Sequence, residues 1–160
     1  MTTLPAASQR VVEAALGLGL EIEVREFPDG TRTAEEAARA IGVEVGQIVK
    51  SLVFLADGAP VVALVSGANR LDTALLAAAA AAEHVTRADA DTVREATGYA
   101  VGGVPPFGHT RELPVYVDPD LLAYDVVWAA AGTPMTVFPI TPHALVDACR
   151  AVPADLKERA

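Results

Sequence analysis

Two apolar runs joined by one turn constrain this chain more than any other feature. Residues 48–56 read Ile48-Val49-Lys50-Ser51-Leu52-Val53-Phe54-Leu55-Ala56, and residues 60–66 read Pro60-Val61-Val62-Ala63-Leu64-Val65-Ser66. Asp57-Gly58 between them is a hairpin-turn signal. Each run is short and rich in Val, Leu and Phe, the pattern of a strand rather than of a helix. Neither alternates with polar residues, so both strands are expected at the centre of a sheet, covered on both faces. An antiparallel pair at the centre rules out a purely parallel sheet.

The flanking segments supply helices and shorter strands. Residues 5–19 have a helical apolar side ended by glycines, and residues 21–27 alternate charged and apolar as a half-buried strand does. Thr33 with Glu36 three residues on signals a helix over 34–41. A helical turn is expected over 45–47. Asp72 and Asp89 are N-caps for helices reaching Ala82 and Gly98, and Thr141-Pro142 opens a closing helix to about Ala151. Short strands are expected at 84–86, 113–117, 125–129 and 135–138. Helices and strands interleave without a regular βαβ repeat. The expected class is α+β: a mixed, mainly antiparallel sheet or open barrel surrounded by helices. We find no internal repeat or long linker, so residues 1–160 read as one domain, with a core over about 10–148 and a short charged tail.

Composition narrows the function classes. Hydrophobic residues make up 52% and charged residues 21%, which fits a packed domain and excludes a disordered one. The apolar run at 74–82 is too short to span a bilayer, and the first residues carry no secretory pattern. The single cysteine, Cys149, has no internal partner, and no metal or cofactor motif occurs. These features point to a cytoplasmic protein without cofactor, metal or membrane partner. A net charge of −9 counts against a protein that grips long DNA or RNA by its phosphates, but it permits contact with a few nucleotides at an RNA end.

Three places bear chemistry. Lys50 is one of two lysines and sits inside the first apolar strand. Such a lysine either snorkels to an edge or sits in a cavity, where it offers a fixed charge to an anionic or carbonyl group. The second is the loop Thr97-Gly98-Tyr99-Ala100-Val101-Gly102-Gly103-Val104-Pro105-Pro106-Phe107-Gly108. Its paired glycines allow close approach of a ligand and exposed N–H groups, as in an oxyanion hole; an ordinary rigid turn has the same composition. His109 is the third, either a general base or an unremarkable loop histidine. The polar stretch Ser66-Gly67-Ala68-Asn69-Arg70-Leu71-Asp72 also follows a strand, where it either lines a site or makes a turn and a cap.

Together these segments resemble the YbaK/EbsC family, which includes ProX proteins and the editing domain inserted in bacterial prolyl-tRNA synthetase. The carriers are Val49-Lys50-Ser51-Leu52-Val53-Phe54, then Ser66-Gly67 with Arg70-Leu71-Asp72, then the Thr97–Gly108 loop, in matching order. The resemblance implies a mixed sheet curled into a barrel-like core with helices outside. It implies hydrolysis of the ester joining a wrong amino acid to the 3′ end of a tRNA. The catalytic group it implies is Lys50, Gly102 and Gly103. The implied substrate-binding residues are Phe27, Thr33, Ser51, Ser66, Gly67, Val101, Pro105, Gly132 and Thr133. The implied partners are an aminoacylated tRNA 3′ end and an aminoacyl-tRNA synthetase such as prolyl-tRNA synthetase. A catalytically silent binding module on the same fold, and a hydrolase of simple esters, are the competing readings. The edited amino acid, the nucleophile and the oligomeric state are not legible in the residues.

Overall fold

A computed structural model describes residues 3–31 and 33–159. The central hairpin forms as its residues dictate: β2 (Val49–Ala56) and β3 (Ala59–Ser66) pair antiparallel along their whole length. Beneath the continuous apolar run, β3 still has the strand period of two. Val62 and Leu64 pack into one core cluster, Val61, Ala63 and Val65 into another, so each face is buried against a different layer. Full burial of a side chain such as Leu64 stabilises by about 1.5–3 kcal/mol, which is why the hairpin occupies the centre.

Around it lie α1 (Ala6–Gly17), β1 (Arg25–Glu26), α2 (Ala34–Ile41), α3 (Thr73–Ala79), β4 (Val85–Arg87), α4 (Ala90–Thr97), β5 (Val115–Val117), β6 (Val127–Ala130), β7 (Thr136–Ile140), α5 (Pro142–Cys149) and β8 (Val152–Pro153). One sheet has the order β4-β2-β3-β5-β8 and the other β1-β7-β6. Four of the pairings are antiparallel, and β3–β5 and β5–β8 are parallel. The fold is therefore mixed α+β and mainly antiparallel. The two sheets meet at a parallel bridge between Ile48 and Trp128.

The caps act as expected. Thr33, Asp72, Asp89 and Thr141 each accept a backbone N–H in the first turn of α2, α3, α4 and α5. Three expectations change. The alternating segment 21–27 enters a ladder only at Arg25–Glu26, because β7 meets it only there; Ile22 and Val24 still pack on the core as the alternation requires. The helix after Asp72 ends at Ala79 rather than Ala82. The last charged segment is held in place. β8 pairs with β5, Leu156 is fully buried, and Lys157 bridges Leu71. An isolated leucine among charges gives too little periodicity to reveal this.

Candidate active site

The outer edge of β2 has two neighbours and a gap between them. At one end Ile48 bridges Trp128 of β6; at the other, β4 pairs only with Phe54, Leu55 and Ala56. Between these ends the outer edge has no ladder partner among the described residues, and a cavity of ≈ 370 Å³ opens there. Its apolar wall comes from Val53, Val93, Val104, Ala129 and Val137, its polar part from Thr33, Lys50, Ser51, Arg87 and Gly102.

Backbone directions show what the gap offers. The Gly67 N–H donates to the Ile48 carbonyl, and the Asp57 N–H to the His84 carbonyl. Even positions of β2 thus turn their peptide groups toward β3 and odd positions toward the outer edge. Ser51 directs its main-chain N–H and C=O into the gap. Its hydroxyl, on the opposite face of the strand from the Lys50 side chain, is buried without any hydrogen-bond partner among the described residues. Burying an unpaired hydroxyl costs about 1–3 kcal/mol, so such a group in a cavity wall marks a place where a ligand is expected.

Lys50 borders the same cavity and donates its ammonium to the carbonyl of Asn69. Burial pushes its pKa down; Glu35 and Asp118 pull it up, and Arg70 adds to the lowering. An ammonium has three donors, so two remain for a substrate.

The glycine pair divides its labour. Gly102 has φ +92°, in the left-handed region that favours glycine, and its N–H has no partner among the described residues. The Gly103 N–H closes a turn on the Ala100 carbonyl at 3.0 Å. A Cβ on Gly103 would lie 2.7 Å from the Gly132 carbonyl, so this glycine lets two loops pack backbone to backbone.

Of the residues expected from the sequence, Lys50, Ser51, Thr33, Val101 and Gly102 come together on the cavity. The others stand behind it. Phe27 packs on the cluster of Ala37, Ile48, Trp128 and Val137. Ser66 is buried and donates its hydroxyl to the Gly46 carbonyl at 2.8 Å. Gly67 is held by Ile48, Gly132 by its contact with Gly103, and the Thr133 hydroxyl by that of Thr136 at 2.8 Å. The Pro105 carbonyl accepts from His109 Nε2 at 2.7 Å. His109 is therefore turned to its own loop, and burial lowers its pKa. Sequence reasoning missed Arg87, Trp128 and Ala129. The only signals for them were the strands expected at 84–86 and 125–129, whose placement against β2 is set by tertiary structure.

The mixed α+β fold carries a strand-edge cavity bordered by a lysine and by amide N–H groups without partners among the described residues, a donor set suited to an anionic or carbonyl group. Residues 28–148 match the family described as Aminoacyl-tRNA editing domain, and the chain belongs to that family. It is a hydrolase acting on aminoacyl-tRNA. The chain is 30% identical over 115 residues to the proposed Cys-tRNA(Pro)/Cys-tRNA(Cys) deacylase EbsC of Enterococcus faecalis, covering 71% of this chain and 70% of that one. It is 36% identical over 103 residues to a proline–tRNA ligase of Maridesulfovibrio salexigens, covering 64% of this chain but 17% of the ligase. A solved structure described as a proposed trans-editing enzyme for prolyl tRNA synthetase superposes with a TM-score of 0.94 at 47% identity, covering 98% of this chain and 100% of that one.

Proposed function

We propose that this protein is a free-standing editing deacylase that removes a small amino acid, cysteine or alanine, from the 3′ end of a mischarged tRNA such as tRNA-Pro. One observation carries the reading: Lys50, Ser51 and Gly102 border one cavity, and the Ser51 hydroxyl and the Gly102 N–H have no hydrogen-bond partner among the described residues. In the reaction the ester carbonyl lies against the free amides, which stabilise the tetrahedral oxyanion. Lys50 and Arg87 supply positive charge for the carbonyl and the RNA phosphates in a chain of net charge −9. Thr33 and Val101 line the amino-acid end, and Phe27, Ser66, Gly67, Gly103, Pro105, Gly132 and Thr133 act from behind by fixing the walls.

No side chain on the cavity is an evident general base. The nucleophile is water assisted by the neighbouring ribose hydroxyl, or the thiol of a cysteinyl substrate. In either case the new bond forms at the carbonyl carbon, the bond to the ribose oxygen breaks, and that oxygen leaves with the proton lost by the nucleophile; the thiol route leaves a cyclic thioester, which water then opens to cysteine. Positioning and polarisation then account for the rate. The two sheets, meeting at Ile48–Trp128, serve as the barrel-like core that carries this site, and residues 1–160 act as one editing unit in the cytoplasm. A prolyl-tRNA synthetase supplies affinity for the tRNA body that the acidic surface lacks.

The test is a deacylation panel of Cys-, Ala-, Ser- and Pro-charged tRNA-Pro, with the amino-acid ethyl esters as controls. Turnover of Cys- or Ala-tRNA, sparing of Pro-tRNA and inert ethyl esters are expected. Binding without turnover contradicts the proposal and leaves a non-catalytic module.

A further inference from the structure

The side of β2 away from Ser51 carries a polar chain of which the proposed reaction has used only the first member. It begins at Lys50, whose ammonium is held by the Asn69 carbonyl. The Asn69 amide donates to Asp118 Oδ2 and to Asp120 Oδ2, each at 2.8 Å. Asp118 is 1% exposed and also accepts the N–H groups of Ser66 and Asp120. Asp120 in turn accepts from Lys157 Nζ at 2.8 Å.

Lys157 belongs to the segment beyond residue 148, where the family match ends. That segment grips the Asn69 loop on both sides of Lys157. The Asp72 N–H donates to the Leu156 carbonyl and the Glu158 N–H to the Arg70 carbonyl, both at 2.8 Å. Buried Leu156, packed with Phe54 and Leu76, anchors it. Lys50 is a flexible four-carbon side chain with many rotamers open to it. Something must fix its ammonium if it is to meet a carbonyl within a few tenths of an ångström.

We propose that Asn69, held by Asp118 and Asp120, and behind them Lys157 of the C-terminal segment, are positioning residues for Lys50. The inference rests on the proposed role of Lys50, and the two fail in different ways. Groups facing Lys50 are Glu35 from α2, Arg70 from the Asn69 loop and Asp118 from the segment after β5. Of these, Asp118 both builds the loop and attracts the ammonium. Removing its charge takes away a contribution that raises the lysine pKa. The alkaline limb of kcat, where Lys50 loses its proton, should then move to lower pH.

The experiment measures kcat, KM and the pH profile of deacylation for wild type, K50A, D118N, K157A and K157R. A misplacement of about 1 Å costs on the order of 100-fold in rate. D118N is expected to lower kcat by about 10- to 100-fold, with KM changed less than about threefold and the alkaline limb displaced downward. K157A is expected to lose about three- to tenfold in kcat, and K157R to recover it. Lys157 is partly exposed, so K157A decides the matter should D118N fail to fold. If K50A is inactive while D118N and K157A keep the wild-type kcat and pH limb, the positioning role is wrong. If K50A itself keeps full activity, the lysine reading has failed instead.

Discussion

Two hollows in this molecule contain reactive side chains, and they differ in what those side chains have left to give. The hollow lined by Pro106, His109 and Cys149 is the larger, ≈ 440 Å³ against ≈ 370 Å³ for the cavity at the β2 edge. By residue type it is also the better catalyst, with an imidazole and a thiol. Yet its donors are already engaged. His109 Nε2 is bonded to Pro105, so the ring carries its proton there and faces a carbonyl that only accepts. The Cys149 thiol donates to the Pro106 carbonyl, and burial pushes its pKa up to about 12. At neutral pH it holds almost no thiolate. At the β2 edge the groups are humbler, but the Ser51 hydroxyl and the Gly102 N–H have no partner among the described residues and Lys50 retains two donors. Unmet hydrogen-bonding capacity, rather than a reactive residue type, distinguishes the candidate site.

That contrast can be broken in several ways. Gly103→Val should do the most harm, because its side chain would meet the Gly132 backbone at 2.7 Å, which cannot swing aside. We expect a loss of about 1–3 kcal/mol in stability by thermal or urea unfolding and at least a 100-fold loss of deacylation. Ser51→Ala separates function from packing. It should cost about tenfold in kcat/KM, while stability stays level or rises by up to about 1 kcal/mol, since an unpaired buried hydroxyl is removed. A clear fall in melting temperature would mean the hydroxyl is bonded in solution. The pH profile gives a smaller, directional effect. Burial lowers the Lys50 pKa, so the ammonium is lost as pH rises through a value below the ordinary lysine range, and activity should decline on its alkaline side at lower pH than a free lysine would allow. Cys149→Ser should change activity less than about twofold, and the native thiol should resist alkylation at pH 8. Loss of deacylation on its substitution would move the site to the other hollow.

The hairpin, the caps and Lys50 were legible because each depends on residues near one another in the chain. Asp57-Gly58 sets the turn, Thr33 and Asp72 reach their own helices, and a lysine inside an apolar run is conspicuous by itself. What could not be read was decided between distant segments. The gap beside Ser51 exists because β4 stops at Phe54 and β6 is bridged only to Ile48. Asp118 lies 49 positions from the Asn69 it holds. The paired glycines looked like two equivalent amide donors; only the Ala100 turn shows that one of the two N–H groups is engaged. The tail read only as a short charged segment because one buried leucine leaves no periodic trace among charges.

The central claim is that the ammonium of Lys50 and the free main-chain N–H groups at the β2 gap act on one carbonyl. Single-turnover deacylation of Cys-tRNA-Pro by Lys50→Ala, beside a melting curve, tests it most directly. The account predicts a rate lowered by on the order of 100- to 1,000-fold with an unchanged melting curve. A folded Lys50→Ala protein that clears the ester at the wild-type rate would contradict it.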